Sequence, residues 1–303
     1  MTNSPVFEQI WINLRPVPED YATYCVLTGQ FCDIAEISRE HPLPLILGGN
    51  DKDFFLCTSK AINNKIGSRV EQVVARDPIV MFGRRDAKAK GHRKTKSNIP
   101  KFRNVSLVQP HKKPNIFDAP RDFQIESRRP QPIVKHSRSQ TILPQSVFND
   151  HCAFTTFNRP IAEMIKLVLK VTVCMGWRLF GPSIESCWPI ETMRNALNPD
   201  SDLDNYWGDE LSWAWETERF KPEMQDYIDA NKAASVRRHR STFMISEHDG
   251  MIECTLTCLG YFTGSIQFSS KQRLMADLTE MDQRLVIIFE RKRYFVEREL
   301  AQA

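Results

Sequence analysis

The most regular hydrophobic pattern in the chain lies between residues 241 and 269. Apolar and polar side chains alternate along 251–258, with Ile252, Cys254, Leu256 and Cys258 on one face and Glu253, Thr255 and Thr257 on the other. Asp249-Gly250, just upstream, is a hairpin-turn dipeptide. Apolar residues flank this segment on both sides at Phe243, Ile245, Phe262, Ile266 and Phe268. The pattern predicts an antiparallel β-meander over 241–269.

The last stretch of the chain carries a different period. Apolar residues recur at roughly helical spacing, at Leu274, Leu278, Met281, Leu285, Ile288 and Phe295. Glycine and proline are absent from 270–303. Their absence favours a long amphipathic helix over 270–302. The run Val286–Phe289 suits a strand equally well, so the strand alternative stays open.

Weaker patterns in the rest of the chain predict a mixture of helices and strands. Near the N-terminus they indicate a strand at 10–14, a helix over 19–38, an extended run at 43–47 and a second helix ending near 77. Further along they indicate a half-buried strand at 167–173, a helix at 190–197 and an aromatic helical stripe from Tyr206 to Trp215. The predicted fold class is therefore α+β.

Residues 84–145, here called the basic segment, interrupt these patterns. Seven prolines lie in this segment, and neither the alternation of a strand nor the spacing of a helix persists for more than a few positions. Such a stretch buries little apolar surface, and proline spacing together with like-charge repulsion extends it. The sequence therefore predicts two modules, 1–83 and 146–303, joined by a basic, Pro-rich, disordered arm.

Composition limits the class of protein. The chain has 303 residues, of which 41% are hydrophobic. That is enough for a folded core. No apolar run approaches the roughly 20 residues of a membrane-spanning helix, and the N-terminus does not resemble a secretory signal. We therefore expect a cytoplasmic or nuclear protein.

The cysteine pattern agrees with such a compartment. The eight cysteines form no CxxC pair. In a chain of this size, that pattern favours free thiols over a disulfide framework.

Charge is strongly segregated along the chain. The net charge is only +4, yet residues 84–140 hold sixteen Lys and Arg against four Asp and Glu, a net +12. Residues 200–230 hold ten acidic residues against Arg219 and Lys221, a net −8. The chain thus combines a basic middle with an acidic patch, which points to binding of a charged partner.

Positive charge of this density attracts phosphate backbones without reading base sequence. The predicted nucleic-acid-binding residues are Arg84, Arg85, Lys88, Lys90, Arg93, Lys94, Lys96, Lys101, Arg103, Lys112 and Lys113, with Arg237, Arg238 and Arg240 from a second basic cluster. Arg84-Arg85 followed by Arg93–Lys96 also suits a nuclear-import signal. An anionic membrane surface would attract the same charges. The alternative without a function is a solvated linker whose charge only keeps the chain soluble. Ser241, after the second cluster, would be accessible to a basophilic kinase.

The acidic patch is also rich in tryptophan. Trp207, Trp213 and Trp215 are the predicted partner-binding residues. They could instead lie in the core of an ordinary helix, or the patch could receive the basic segment of its own chain. A third alternative is that the patch receives the segment of a neighbouring copy, which would make the protein a homo-oligomer.

Motifs for catalysis do not rise above background. Cys254 and Cys258 would lie about 13 Å apart along a strand, too far for two ligands of one zinc ion. Gly48-Gly49 lacks the Lys and Ser or Thr of a phosphate loop, and neither GxSxG nor HExxH is present. Asp118, Asp122 and Glu126 lie in the Pro-rich segment without rigid support. The sequence indicates no metal site and no cofactor.

These observations favour a non-enzymatic polyanion-binding protein, with RNA or DNA as partner and self-association as a further property. The first alternative is a virus-encoded matrix-type or other structural layer protein that contacts anionic membrane and nucleoprotein. The second is a nucleic-acid-processing enzyme whose site is not recognisable from sequence.

Overall fold

The computed structural model describes residues 7–10, 17–49, 56–86, 101–108, 123–126, 133–136, 139, 142, 152–154, 159–206, 208, 210–214, 241–248, 250–259, 261–271, 284–289 and 296–299. These residues form helices and antiparallel sheets, which confirms the α+β class. Among them, no helix combines the length and hydropathy that crossing a membrane requires.

The strands belong to one large sheet and three smaller ones. In chain order they are β1 Phe7–Ile10, β2 Tyr24–Cys25, β3 Gln30–Phe31, β4 Ile37–Glu40, β5 Leu56–Ser59, β6 Lys101–Val108, β7 Phe123–Glu126, β8 Ile133–His136, β9 Cys152–Phe154, β10 Ser212–Ala214, β11 Ser241–His248, β12 Met251–Cys258, β13 Tyr261–Ser269, β14 Arg284–Phe289 and β15 Val296–Glu299. The large sheet has the order β1-β15-β14-β11-β12-β13-β10. The smaller sheets are β2-β3, β4-β5 and β8-β7-β6-β9.

The helices divide between the two halves of the chain. Within the described residues, the α-helices are α1 Lys60–Ile66, α2 Gln72–Val74, α3 Pro78–Asp86, α4 Ile161–Phe180, α5 Ile184–Cys187 and α6 Ile190–Leu197. Gly67–Glu71 is π-helical and joins α1 to α2, so that 60–74 forms one helical rod. Short 3-10 turns lie at Glu19–Tyr21, Ile34–Glu36, Leu45–Leu47, Gly181–Ser183 and Leu203–Tyr206. The helices predicted at 190–197 and before 77 are confirmed.

The predicted meander is confirmed as β11-β12-β13. Phe243 is paired with Leu256, and Cys254 with both Ile245 and Ile266. Paired residues of antiparallel strands share a face, so these side chains form one apolar layer. All of them are fully buried, and the layer packs against α4.

The sequence prediction was wrong for α4. Its residues 167–173 were expected to form a strand because apolar and polar residues alternate there, yet the whole of 161–180 is helical. Lys166 and Lys170, four residues apart, are both buried and bonded to carbonyl or carboxylate oxygens. The alternation therefore marks buried polar contacts rather than a solvent-exposed strand face.

The long helix of the C-terminal part is thus α4, which lies near the start of that part and not at its end. The helix predicted over 270–302 is wrong at 284–289 and 296–299, which form β14 and β15. The run Val286–Ile288 pairs with β11 and extends the large sheet beyond the meander. Its β-branched residues suit a strand. Residues 272–283 and 290–295 lie outside the described residues.

Two further predictions near the N-terminus were wrong. The helix expected over 19–38 is replaced by 3-10 turns and the β2-β3 hairpin, where Gly29 adopts a positive φ of 73°. A positive φ favours glycine over other residues. The extended run at 43–47 ends in a 3-10 turn. Of the strand predicted at 10–14, β1 includes Ile10, and 11–14 lie outside the described residues.

The basic segment also contains regular structure. Three strands, β6, β7 and β8, lie within it, and β9 adds to the same sheet. The prediction of a wholly disordered arm is therefore wrong at these positions. An irregularity between Phe102 and Val105 shifts the register. Such a shift obscures the period of two in the sequence. Residues 87–100, 109–122 and 127–132 lie outside the described residues.

The parts predicted to form two modules share one hydrophobic core. Buried residues from Tyr24 to Val80 form a single cluster with those of α4, α6 and the meander. Trp188 illustrates the packing, since its ring contacts Phe180 at 5.6 Å and Phe268 at 4.9 Å between ring centroids. The first and last strands, β1 and β15, are also paired with each other.

Candidate nucleic-acid interface

The 60–74 rod buries one side and exposes another. Ile66, Val70 and Val74 recur every four residues, are fully buried and belong to the core cluster shared with α4. The exposed residues of 60–76, a range that the structure describes throughout, are Lys60, Ala61, Asn64, Ser68, Arg69, Gln72 and Arg76. They include no carboxylate. Lys60, Arg69 and Arg76, together with the half-exposed Lys65, are here called the basic helix face.

A buried ion cluster fixes the inner side of the rod. Glu71, the last residue of the π-helical turn, contacts the Lys170 ammonium, which also contacts Glu40 and donates to the His41 carbonyl oxygen at 3.1 Å. Burial alone would lower the pKa of Lys170, but the Glu40 and Glu71 carboxylates outweigh burial and raise it. Burial raises the pKa of Glu71 despite the nearby ammonium. The rod's one acidic residue is thereby turned away from the basic helix face.

One loop carboxylate does reach that face. The Lys65 ammonium lies 2.7 Å from Asp200 Oδ2, and Arg69 contacts Asp200 Oδ1. The hydrogen bond from Lys65 and the charge of Arg69 hold the pKa of the Asp200 carboxyl below its ordinary value. The other two cations lie toward the two ends of the rod, where the exposed Lys60 donates to the Ala35 carbonyl oxygen.

Helix α3 leads from the rod into the basic segment. Asp77 accepts a hydrogen bond from the Val80 amide at 3.1 Å and one from Arg159 Nε at 3.3 Å. A carboxylate bonded to a first-turn amide fixes the start of a helix. Arg84 donates to the Ala75 carbonyl oxygen at 3.0 Å, so α3 folds back on the end of the rod. Burial lowers the pKa of Arg84. Arg84, predicted to contact nucleic acid, thus takes part in the packing of α3 on the rod, and its contact with nucleic acid stays a prediction.

Other predicted residues lie partly within the described chain. Arg85 lies in α3, and Lys101 and Arg103 lie in β6. Trp213, predicted as a partner-binding residue, is partly buried against the core and paired with Ile266. Outside the described residues lie Lys88, Lys90, Arg93, Lys94, Lys96, Lys112, Lys113, Trp207, Trp215, Arg237, Arg238 and Arg240. The helical stripe expected at 206–215 is wrong where described, since 212–214 is a strand.

Ser241 is not accessible to a kinase. Its side chain is fully buried, and Oγ donates to the Leu47 carbonyl oxygen at 2.6 Å. The same oxygen accepts a hydrogen bond from the Leu259 amide at 2.9 Å. Ser241 therefore ties β11 to the 3-10 turn at Leu45–Leu47, and the accessibility expected from sequence is wrong.

An open cleft of about 800 Å³ lies on another part of the surface. Its lining includes Thr28, Gln30, Glu185, Glu191, Glu210 and Lys271. Glu185 accepts hydrogen bonds from the Tyr24 hydroxyl at 2.7 Å and from Arg194 at 2.6 and 2.8 Å. Burial and the bond to Glu185 raise the pKa of Tyr24 to about 12.

Two of the carboxylates of this cleft, those of Glu185 and Glu210, already accept hydrogen bonds from other side chains. Glu210 accepts a hydrogen bond from Thr192 at 2.7 Å, and Glu191 is exposed. Across the described parts of the chain, no three His, Cys, Asp or Glu side chains are grouped to hold a metal ion. With Glu185, Glu191 and Glu210 against Arg194 and Lys271 in its lining, the cleft carries a small excess of carboxylates and is here called the acidic cleft.

The cysteines whose side chains the structure describes are free thiols, as predicted. Cys25, Cys174, Cys187, Cys254 and Cys258 are buried. Burial raises the pKa of Cys258 to about 12, and burial also raises that of Cys254. Both thiols belong to the hydrophobic core cluster. They act there as small core residues.

No family model, curated protein or solved structure matches the chain.

Sequence reasoning missed the basic helix face. Its four cations are spread over the 17 residues 60–76, whereas seven lie within the 13 residues 84–96, so a charge count does not single the face out. The sequence does contain a sign of this face: Ile66, Val70 and Val74 form an apolar stripe, and cations occupy positions between them. The stripe can be recognised as one side of a helix only if the helix is predicted to begin at residue 60.

Proposed function

We propose that the protein binds RNA or DNA without catalysing a reaction, through the basic helix face and the basic segment together. The observation that carries this proposal is that the exposed residues of 60–76 include no carboxylate, immediately before a stretch with net charge +12. Electrostatic attraction of this kind binds phosphates irrespective of base sequence. RNA is the first ligand to test.

A comparison of buried and exposed cations supports the basic helix face as the binding surface. Within the described residues, the cations Lys166, Lys170 and Arg194 are largely buried and bonded to carbonyl or carboxylate oxygens of the body itself. On the basic helix face, Lys60, Arg69 and Arg76 are exposed to solvent, although Lys60 also contacts the Ala35 carbonyl oxygen and Arg69 the Asp200 carboxylate. Positive charge is thus balanced internally at the core and presented outward at one surface.

The proposal is tested by binding a single-stranded RNA oligomer over a salt series. One variant replaces Arg85, Lys88, Lys90, Arg93, Lys94 and Lys96 by Ala and leaves the packed Arg84 intact. We expect weaker binding and a flatter dependence of log Kd on log salt concentration, because fewer counterions are released. Lys271→Ala, an exposed cation beside the acidic cleft, is the control and should leave both quantities unchanged.

Two results would contradict this proposal. An unchanged salt dependence in the six-site variant would remove the basic segment from the binding surface. Binding to anionic liposomes in place of RNA would favour the matrix-type or structural layer protein instead, since lipid headgroups attract the same cations.

We further propose that copies of the chain associate through a second surface. Phe31 and Ile34 are 63% and 84% exposed, and Glu19, Asp20, Asp33 and Glu36 lie exposed in the same N-terminal turns. Exposed apolar side chains with an acidic rim fit a basic partner, and the basic segment of a second copy has the complementary charge. Gln30, next to Phe31, lines the acidic cleft, so the two features adjoin.

Sedimentation velocity at increasing protein concentration tests this association. We expect assembly of the wild type that weakens with salt and is lost in Phe31→Ser/Ile34→Ser. Met251→Ser, at another exposed apolar residue (41% exposed), serves as control and should still assemble. A wild type that stays monomeric at high concentration and low salt would rule out self-association.

A further inference from the structure

Two cations of the basic helix face converge on one point. Lys65 and Arg69 lie four residues apart on the rod, and both contact the Asp200 carboxylate. Lys65 also donates to the Asn198 side-chain oxygen at 3.1 Å. Ammonium and guanidinium groups focused on one oxyanion are the arrangement that proteins use to hold phosphate.

The loop that carries Asp200 is held in place by other contacts. Lys166 donates to the carbonyl oxygens of Asn198 at 2.9 Å, Pro199 at 3.2 Å and Ser201 at 2.6 Å. The Ser201 hydroxyl contacts the carbonyl oxygens of Ala196 at 2.8 Å and Asn198 at 2.7 Å. The loop therefore keeps its position without the Asp200 carboxylate, whose contacts to Lys65 and Arg69 are additional.

The Asp200 contact is also the kind that a ligand can replace. The side chains of Asp200 and Arg69 are 57% and 58% exposed, and Lys65 is 34% exposed. Exposed ion pairs contribute little to folding because water competes for both charges. A phosphodiester presents the same single negative charge, and a strand already held by the basic segment presents it at high local concentration.

We propose that Lys65 and Arg69 form a phosphate-binding pair for the backbone of a nucleic acid, and that Asp200 is its internal occupant, displaced when a strand binds. This inference rests on the proposed function. To the proposed function it adds a specific contact site, the Lys65–Arg69 pair. It also adds an intramolecular competitor, because a polyanion must displace the Asp200 carboxylate before it can bind there, and a weakly charged one binds less tightly as a result.

Removing the competitor tests the inference. In Asp200→Asn we expect single-stranded RNA to bind about two- to fivefold more tightly, the range that one exposed ion pair allows. The slope of log Kd against log salt should steepen by about 0.7 for the phosphate gained. Asp202→Asn removes the same charge two residues away, where the Asp202 carboxylate accepts a hydrogen bond from the Asp204 amide instead.

A background variant distinguishes competition from a general change of charge. In Lys65→Ala/Arg69→Ala the gain from Asp200→Asn should disappear, because the pair that it frees is absent. Asp200→Ser is measured alongside, in case the amide forms new contacts with the loop. Thermal unfolding of each variant checks that the loop and the rod stay folded.

Each outcome supports or overturns the inference. An equal gain in Asp200→Asn and Asp202→Asn, or a gain that survives in the Lys65→Ala/Arg69→Ala background, would overturn it. No gain in either Asp200 variant, with the six-site variant still weakening binding, would overturn it and leave the proposed function intact. Absence of RNA binding by every variant would overturn both.

Discussion

At the scale of single residues, polar groups inside the core decide how the segments of the chain are joined. Lys170 is fully buried and joins α4 to β4 through Glu40 and to the helical rod through Glu71. A buried charge is costly to leave unpaired, so these three residues hold the inner face of the rod in one position. The basic helix face is a consequence of that orientation.

Lys170→Met should therefore destabilise the protein strongly. Two buried carboxylates would lose their common cation, at a cost of about 3–5 kcal/mol in the free energy of unfolding. Urea denaturation at neutral pH measures the effect. Arg76→Met, which removes an exposed cation at the end of the same rod, should change stability by no more than about 0.5 kcal/mol. Equal effects of the two substitutions would contradict the assignment.

Glu253 provides a residue-scale test of pH dependence. It is 6% exposed and accepts hydrogen bonds from Ser265 at 2.7 Å and Gln267 at 2.9 Å. Burial raises its pKa despite these bonds. In the folded state it therefore keeps its proton to higher pH than in the unfolded state, and stability falls as pH rises from the ordinary carboxyl value through the raised one.

Glu253→Gln should remove this pH dependence. We expect the variant to be more stable than the wild type at neutral pH and similar to it well below the ordinary carboxyl pKa, where the wild-type carboxyl is protonated in both states. Urea midpoints measured from acidic to neutral pH give the comparison. The exposed Glu191→Gln should show no such difference, and a Glu253→Gln variant less stable than the wild type at neutral pH would contradict the prediction.

At the scale of elements, the sequence predicted those in which apolar and polar residues alternate or repeat regularly, even where the polar side chains are buried as well, as at Glu253 and Thr255 of β12. The β11-β12-β13 meander and α6 were predictable because their apolar residues repeat at regular spacing. Helix α4 was not, because 16 of its 20 residues are buried and its lysines are satisfied internally. The C-terminal strands were not either, since Leu285 and Ile288 fit a helical stripe and only pairing with β11 decides for a strand.

The close packing of α4 gives a test at this scale. A Cβ added at Gly176 would lie 2.3 Å from the Trp188 ring, so Gly176→Ala forces that ring or the helix to move. We expect a loss of about 1–3 kcal/mol in stability, as for other overpacked cores. At Gly67, in the π-helical turn, an added Cβ would have its nearest atom at 3.9 Å. Gly67→Ala should therefore be neutral or stabilising. Denaturant midpoints compare the two, and a neutral Gly176→Ala would contradict this packing.

At the scale of the whole molecule, the two predicted modules share one core. Residues from Tyr24 to Val80 bury their apolar side chains together with those of α4 and the meander. The sequence could not reveal this arrangement, because a charged, Pro-rich segment between two folded stretches looks the same whether they pack together or remain separate. The shared core places the basic helix face on the same body as the acidic cleft.

A fragment of residues 1–83 should therefore not fold alone. Its apolar residues would lack the α4 surface on which they are buried, so we expect no cooperative unfolding transition by circular dichroism. The full chain should unfold in one transition over its shared core. A cooperative transition in the isolated fragment would show that the N-terminal part is an independent domain.

The central claim is that a folded surface, and not only the basic segment, binds the phosphate backbone. Lysine acetylation with mass spectrometry, with and without a single-stranded RNA oligomer, tests it most directly. We expect RNA to protect Lys60 and Lys65 together with the lysines of 88–96, while Lys271 is modified to the same extent in both samples. Protection confined to 88–96, with Lys60 and Lys65 as reactive as they are without RNA, would contradict the claim.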